Sequence, residues 1–372
     1  MKSLIDILDL SVKEIDDLIA LSEDIIANPA KYSKVCEGKK LATLFFEPST
    51  RTRLSFEAAM YELGGHVIGF SDGSNTSASK GESVADTAKV ISCYADIIAM
   101  RHFREGAPMV ASCNATIPVI NAGDGGHSHP TQTLADLLTI KREKGRLNDL
   151  TVGFCGDLKY GRTVHSLIEA LSRYTGIKLV LISPEELKLP GYVKHEVVAK
   201  HNMPCVETTD LEKSLPELDV LYMTRVQRER FTDLSVYDRV KDLYILTAEK
   251  MQLAKKDTIV LHPLPRVNEI SVKIDEDERA CYFKQVLNAK YIRMALILTL
   301  LKVAEGKEAR PEPVLTARPG GEKLLVNQHR CSNEKCITVT EQELDQVCRL
   351  MDKEHGIFRC SYCDKKIRAE DE

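Results

Sequence analysis

The stretch LATLFFEPSTRTRLSFE, residues 41–57, decides the fold. Its first half is short, apolar and bounded, the pattern of a buried strand. Pro48 ends that strand, and Ser49 or Thr50 can cap a helix beginning just after it. From Leu54 onward the residues are good helix formers. A buried strand that turns straight into a helix is half of a βαβ unit. The turn also sets free backbone N–H groups beside two hydroxyls and a guanidinium, which makes a helix start suited to an anion. The plain alternative is a capped helix with two solvated arginines. Arg51 and Arg53 are two residues apart and cannot face the same way on a helix, so at most one of them serves the anion.

The same alternation runs outward along the chain. LATLFF, VIGF, DIIAMR, IPVINA, TVGFCGD, KLVLIS, DVLYMTR, YILT and TIVLHPLP read as strands, and helical patterns separate most of them. This predicts an α/β protein with two parallel-sheet α/β domains, in which ligands bind at the carboxyl ends of the strands. Residues 130–145 read as one helix joining the two halves, and Leu287 to Lys302 as a strongly apolar helix. The Pro-, Gly- and charge-rich stretch 306–321 reads as a linker to a small Cys-rich module at 322–372.

Composition sets limits on function. The 372 residues are 43% hydrophobic and 28% charged, a soluble globular profile. A net charge of −4 gives no general attraction for nucleic acid or for an anionic membrane. MKSLIDILDLSVKEIDDLIAL mixes acids into every apolar turn and reads as an amphipathic helix, not a signal peptide. Of eleven cysteines, six are scattered singly and five fall at or beyond Cys331, which suits a reducing cytoplasm better than a disulfide framework.

Polar motifs follow the strands. Lys80 lies in the loop NTSASKGES, where it could be plain surface or a supplied cation. Arg101 and His102 close DIIAM. His129 precedes Pro130 at a helix start, where the positive end of the dipole favours a neutral imidazole. His127 reads as ordinary loop. Arg162 sits on a glycine-flanked turn without the G-x-G-x-x-G spacing of a dinucleotide site. Arg225 and Gln227 follow DVLYM, and the Leu264–Pro265 bond lies in a turn that invites a cis peptide. Several arginines, one lysine, one histidine and no acidic base suit a phosphate and a dicarboxylate, because guanidinium grips both bidentately.

Cys331 and Cys336 form C-x4-C, and Cys360 and Cys363 form C-x2-C. Two close thiolate pairs are what a tetrahedral structural Zn²⁺ needs, and a module this small gains from such a staple. Cys348 stands outside the pairing. Nine Lys/Arg against eleven Asp/Glu from Gly321 to Glu372 leave no basic footprint for nucleic acid.

Seven segments taken in order, FFEPSTRTRLSFE, SKGESVADT, MRH, HPTQTLADLLTI, GDLKYGRTVHSL, DVLYMTRVQRER and HPLPRVNEI, resemble the catalytic chain of the aspartate carbamoyltransferase family over residues 1–305. The resemblance implies a carbamoyl phosphate-binding domain at 1–130. It also implies an aspartate-binding domain at 131–305, whose last helix, about 285–305, returns to the first. It implies that Ser49, Thr50, Arg51 and Thr52 hold the phosphate, and that Thr52, Arg101 and His129 hold the carbonyl oxygen. Gln132 and the carbonyls of Leu264 and Pro265 would hold the amino group, and Arg162, Arg225 and Gln227 the aspartate carboxylates. Ser77 and Lys80 would come from a neighbouring subunit, which makes a homotrimer the minimum active unit; no catalytic metal is implied. Ornithine carbamoyltransferase is similar in two of these regions, but its H-C-L-P turn is His262-Pro263-Leu264-Pro265 here and its S-M-G motif is absent. The Cys-rich module resembles the zinc domain of the family's separate regulatory chain. The linker is too short for that chain's nucleotide-binding domain, so a fused protein without the usual nucleotide feedback is expected. A non-catalytic regulatory or scaffold subunit is the alternative from another class.

Overall fold

The computed structural model describes residues 3–226, 228, 231, 233–305, 324–341, 344–352 and 356–368. By contact the chain divides into two units, Met1–Thr131 with Lys290–Glu372, and Gln132–Ala289.

In the first unit, strands β1 (Lys40–Phe45), β2 (His66–Phe70), β3 (Ile97–His102) and β4 (Val119–Asp124) form a parallel sheet in the order β2-β1-β3-β4. Helices α1 (Val12–Ala27), α2 (Thr50–Glu62), α3 (Val84–Ser92) and α4 (Ala107–Asn114) accompany it. The N-terminal helix starts later than its amphipathic pattern suggests. Ser11 accepts from Glu14 N while the Glu14 side chain returns to Ser11 N, a capping box that fixes Val12 as the first helical residue. Helix α5 (Pro130–Lys144) leads into the second unit.

The second unit holds β5 (Thr151–Cys155), β6 (Lys178–Ile182), β7 (Cys205–Thr208), β8 (Val220–Met223) and β9 (Ile259–Leu261), all parallel, in the order β7-β6-β5-β8-β9. Helix α6 (Arg162–Leu171) follows β5, and α7 (Tyr282–Glu305) carries the chain back to the first unit. The segment YILT forms no strand; Leu246 makes one isolated bridge to Ile270. Each sheet reverses its winding once, between β1 and β3 in the first and between β5 and β8 in the second. Those reversals open crevices at the carboxyl ends of the strands.

The C-terminal module is an antiparallel sheet of β10 (Leu324–Val326), β11 (Val347–Asp352), β12 (Ile357–Cys360) and β13 (Lys366–Arg368). It belongs to the first unit and shares one apolar core with it, in which Leu44, Met100, Met109 and Val110 join Ile337, Phe358, Tyr362 and Ile367. Among the described residues, no helix is long and apolar enough to cross a membrane.

Candidate active site and metal centre

At the β1/β3 reversal of the first unit, the strand ends are tied by Phe46 N donating to Arg101 O at 2.9 Å. Ser49 is extended (φ −156°, ψ 91°) and its side chain does not cap α2, so the helix start is left open to another acceptor. Thr52 is buried on that first turn. Arg51 remains exposed, yet partial loss of water and then the charge of Arg101 lower its pKa. Two guanidinium groups held close enough to repel make a site waiting for negative charge. Arg101 Nη2 donates to Glu47 Oε1 at 2.9 Å, while its buried Nε has no hydrogen-bond partner among the described residues. Arg53 points elsewhere and pairs with Glu57 at 3.6 Å, so of the two alternating arginines only Arg51 faces Arg101.

His129 is buried after β4, with Thr131 Oγ1 3.5 Å from its Nδ1. The loop that carries it is organised by the buried Asp124, which accepts from Gly106 N (2.8 Å), Asn121 Nδ2 (3.0 Å) and Ser128 N (3.0 Å). Ser77 and Lys80 are exposed in a 3₁₀ turn closed by Gly81. Among the described residues no hydrogen bond or ion pair joins their side chains to the Arg51–Arg101 pair.

The second unit repeats the logic at its own reversal. Gly156 has φ +113°, and a Cβ there would lie 2.5 Å from Thr224 O, so the end of β5 can approach β8 only as glycine. Thr224 Oγ1 donates to Cys155 O at 3.0 Å and accepts from Asp157 N at 2.8 Å. This stitch fixes the two strand ends from which Arg162, opening α6, and Arg225, following Thr224, emerge half-buried. Gln227 lies outside the described residues.

After β9 the Leu264–Pro265 bond is cis, as the turn invites, with Leu264 at φ +55°. Leu264 N donates to His262 Nδ1 at 2.7 Å, and His262 Nε2 meets Glu269 Oε1 at 2.8 Å. His262 N donates to Gln285 Oε1 at 3.0 Å. Gln285 Nε2 donates to Asp136 Oδ1 at 2.5 Å, Gln132 Nε2 to the same oxygen at 2.8 Å, and Tyr222 OH to Oδ2 at 3.0 Å. Burial pushes Asp136 up to about 7 in spite of its three donors. Gln132 and the Leu264 turn are therefore brought into one network. Asp136, Gln285 and Glu269 escaped the sequence reading, which took His262 only as part of its turn. The i,i+4 spacing of Gln132 and Asp136 on one helix was the available signal for Asp136.

In the module, Cys331, Cys336, Cys360 and Cys363 are buried with their sulfurs within 4.8 Å of one another. Thiolates about 2.3 Å from one tetrahedral ion stand about 3.8 Å apart. Here Cys331 and Cys363 are 3.5 Å apart and Cys336 and Cys360 3.8 Å apart, so the set fits such an ion. The other three sulfurs hold the Cys336 thiol far below its ordinary range, and Thr338 Oγ1 donates to it at 3.2 Å. Cys348 is set apart, its thiol 3.7 Å from His329 O.

The module clasps the loops leaving β3 and β4. Glu105 pairs with Cys336 in a parallel bridge, and Glu105 Oε2 accepts from Asn333 Nδ2 at 2.6 Å. Gly106 (φ +87°) lets Tyr362 pack where a Cβ would sit 2.6 Å away. His127, read from sequence as loop, is a junction. Its Nδ1 meets Asp124 Oδ2 and its Nε2 meets Asp364 Oδ2, both at 2.9 Å. Burial alone would lower its pKa; the two carboxylates hold it well above the ordinary value. With both ring nitrogens engaged, the cluster of Asp6, His127 and Asp364 is an ion-pair clamp and not a metal site.

The domain family described as aspartate/ornithine carbamoyltransferase, carbamoyl-P binding domain, matches residues 2–142, and its Asp/Orn binding domain matches 148–300. A relative named aspartate carbamoyltransferase catalytic subunit, from Lachnoclostridium phytofermentans, is 65% identical over 303 residues, 82% of this chain and 99% of that one. The chain belongs to the aspartate carbamoyltransferase family. The catalytic subunit of aspartate transcarbamoylase from M. jannaschii superposes with a TM-score of 0.77 at 45% identity, covering 82% of this chain and 100% of that one. The Trypanosoma cruzi aspartate transcarbamoylase structure in complex with carbamoyl phosphate and aspartate gives 0.76 at 38% identity, covering 80% and 96%. The C-terminal module is matched as well: the domain family described as aspartate carbamoyltransferase regulatory chain, metal binding domain, matches residues 325–372.

Proposed function

We propose that this chain transfers the carbamoyl group of carbamoyl phosphate to the α-amine of L-aspartate, giving N-carbamoyl-L-aspartate and phosphate, an early step of pyrimidine synthesis. The observation that carries the reading is the like-charged pair Arg51 and Arg101 beside the uncapped start of α2. That arrangement is costly until an anion arrives, and family membership supports reading that anion as carbamoyl phosphate. Ser49, Thr50, Arg51 and Thr52 hold the phosphate. Thr52, Arg101 and His129 hold the carbonyl oxygen and take up its negative charge as the amine attacks. Gln132 Oε1 and the carbonyls of Leu264 and Pro265 accept from the carbamoyl amino group. Arg162, Arg225 and Gln227 bind the aspartate carboxylates. Phosphate leaves with a proton. Catalysis is positioning and electrostatics, with no covalent intermediate.

Ser77 and Lys80 act on a neighbouring copy's site in a homotrimer, a reading supported by their exposure here. The four-cysteine site holds Zn²⁺ as a closed structural centre, as four thiolate ligands favour. All eleven cysteines are free, which suits the cytoplasm.

The test is turnover of carbamoyl phosphate with L-aspartate and, in parallel, with L-ornithine, on protein of known zinc content. Turnover with aspartate alone is expected. Ornithine turnover would overturn the reading of Arg225. No turnover from zinc-replete protein would favour a regulatory or scaffold subunit.

A further inference from the structure

We propose that Asp136 is a positioning residue that fixes which end of the Gln132 amide faces the substrate and, through Gln285 and His262, steadies the Leu264 turn. Gln132, Leu264 and Pro265 then present hydrogen-bond acceptors to the group next to the carbamoyl carbon. The inference rests on the reading of Gln132, Leu264 and Pro265 as holders of the carbamoyl amino group.

A glutamine amide has a donor end and an acceptor end of nearly equal shape. Left alone, it turns to suit whatever approaches. Gln132 is not left alone, because its Nε2 donates to Asp136 Oδ1 at 2.8 Å. Oδ1 takes both amide nitrogens, so a proton on Asp136 belongs on Oδ2 beside Tyr222 and Oδ1 accepts in either state; the Gln132 nitrogen is drawn inward and its oxygen is the end left for a ligand. The same Asp136 oxygen takes the nitrogen of Gln285, which turns the Gln285 oxygen toward His262 N. That bond holds the backbone of His262, whose Nδ1 accepts from Leu264 N. With Nδ1 an acceptor, Nε2 carries the proton and donates to Glu269. The Leu264 N–H is thus spent inward, like the Gln132 N–H that meets Asp136, and Pro265 has none, so Leu264 and Pro265 are left with their carbonyl oxygens to offer. Asp136 is fully buried and touches no ligand under this reading, yet it dictates both polarities.

The consequence is a preference for –NH2 over –CH3, and acetyl phosphate is the probe. With the full-length, metal-replete protein, KM for carbamoyl phosphate is compared with the inhibition constant of acetyl phosphate against it. In Asp136→Ala the amide is released to flip. KM for carbamoyl phosphate should rise about tenfold, the scale of one or two lost hydrogen bonds, while the acetyl phosphate constant moves less than about threefold. Asp136→Asn keeps an oxygen toward both glutamines and should keep the discrimination. Equal weakening of both ligands by Asp136→Ala, or an unchanged ratio, overturns the proposal. If Asp136→Ala does not fold, Gln285→Met decides. It cuts the link to His262 and should also erode the ratio, and an unchanged ratio overturns the proposal. A wild-type protein that binds the two phosphates equally would remove the reading of Gln132, Leu264 and Pro265, and the proposal with it.

Discussion

Arg51 shows how a single residue can be placed for a ligand at the fold's expense. Its neighbour Arg101 and its partial desolvation both disfavour the charge that guanidinium cannot shed. Arg51→Ala should therefore raise KM for carbamoyl phosphate by about 10- to 100-fold, as loss of charge-assisted bonds implies. The same change should leave the unfolding temperature unchanged or higher, measured by calorimetry on the unliganded protein. A clear drop in that temperature would mean Arg51 holds the fold and not a ligand. Much at this scale is legible in the sequence. That at most one of Arg51 and Arg53 serves an anion follows from helix geometry alone, and the structure turns Arg53 to Glu57. The role of His127 is not legible there, because its second partner Asp364 meets it only through the fold, from 237 residues away.

Between α5 and α7 within the second unit runs a polar ladder. Gln285 reaches Asp136, and Asn288 Nδ2 donates to Thr139 Oγ1 at 3.0 Å. Its titration has a definite sign. Asp136 sits at about 7 in the fold against an ordinary 3.8, so its contribution is fully present below the ordinary value and is lost as pH rises through about 7. The loss is on the order of a few kcal/mol at most, the free energy that separates those two proton affinities. Calorimetry at pH 5 and pH 8 should show wild type losing more stability than Asp136→Asn over that interval; parallel slopes would contradict the assignment. Elements were readable where they were long or buried on both faces. Strand β7 was missed because Cys205, Val206 and Glu207 are exposed at a sheet edge and lack the apolar run of a central strand. YILT was overread because Tyr244 and Leu246 are buried in a core that needs no ladder to hold them. Period alone does not separate those cases.

At the scale of the whole molecule, the proposed metal in the four-cysteine centre would fasten a module too small to hold itself. Chelation should make four additional thiols react with a chromogenic disulfide and melt β10 to β13 as followed by hydrogen exchange. Unchanged thiol counts would mean that these cysteines hold no metal. His127→Gln removes one clamp without touching a thiol, and should speed metal loss to a chelator by several-fold. The bridge from Glu105 to Cys336 and the contact of His127 with Asp364 join parts of one polypeptide. A module carried on a separate chain would have to arrive by collision, so its occupancy would follow concentration. Here both partners of each contact lie on one chain, so seating is a first-order step that does not depend on protein concentration. Dilution of the protein therefore leaves the seat as full as it was, and every copy of the body brings one copy of its module.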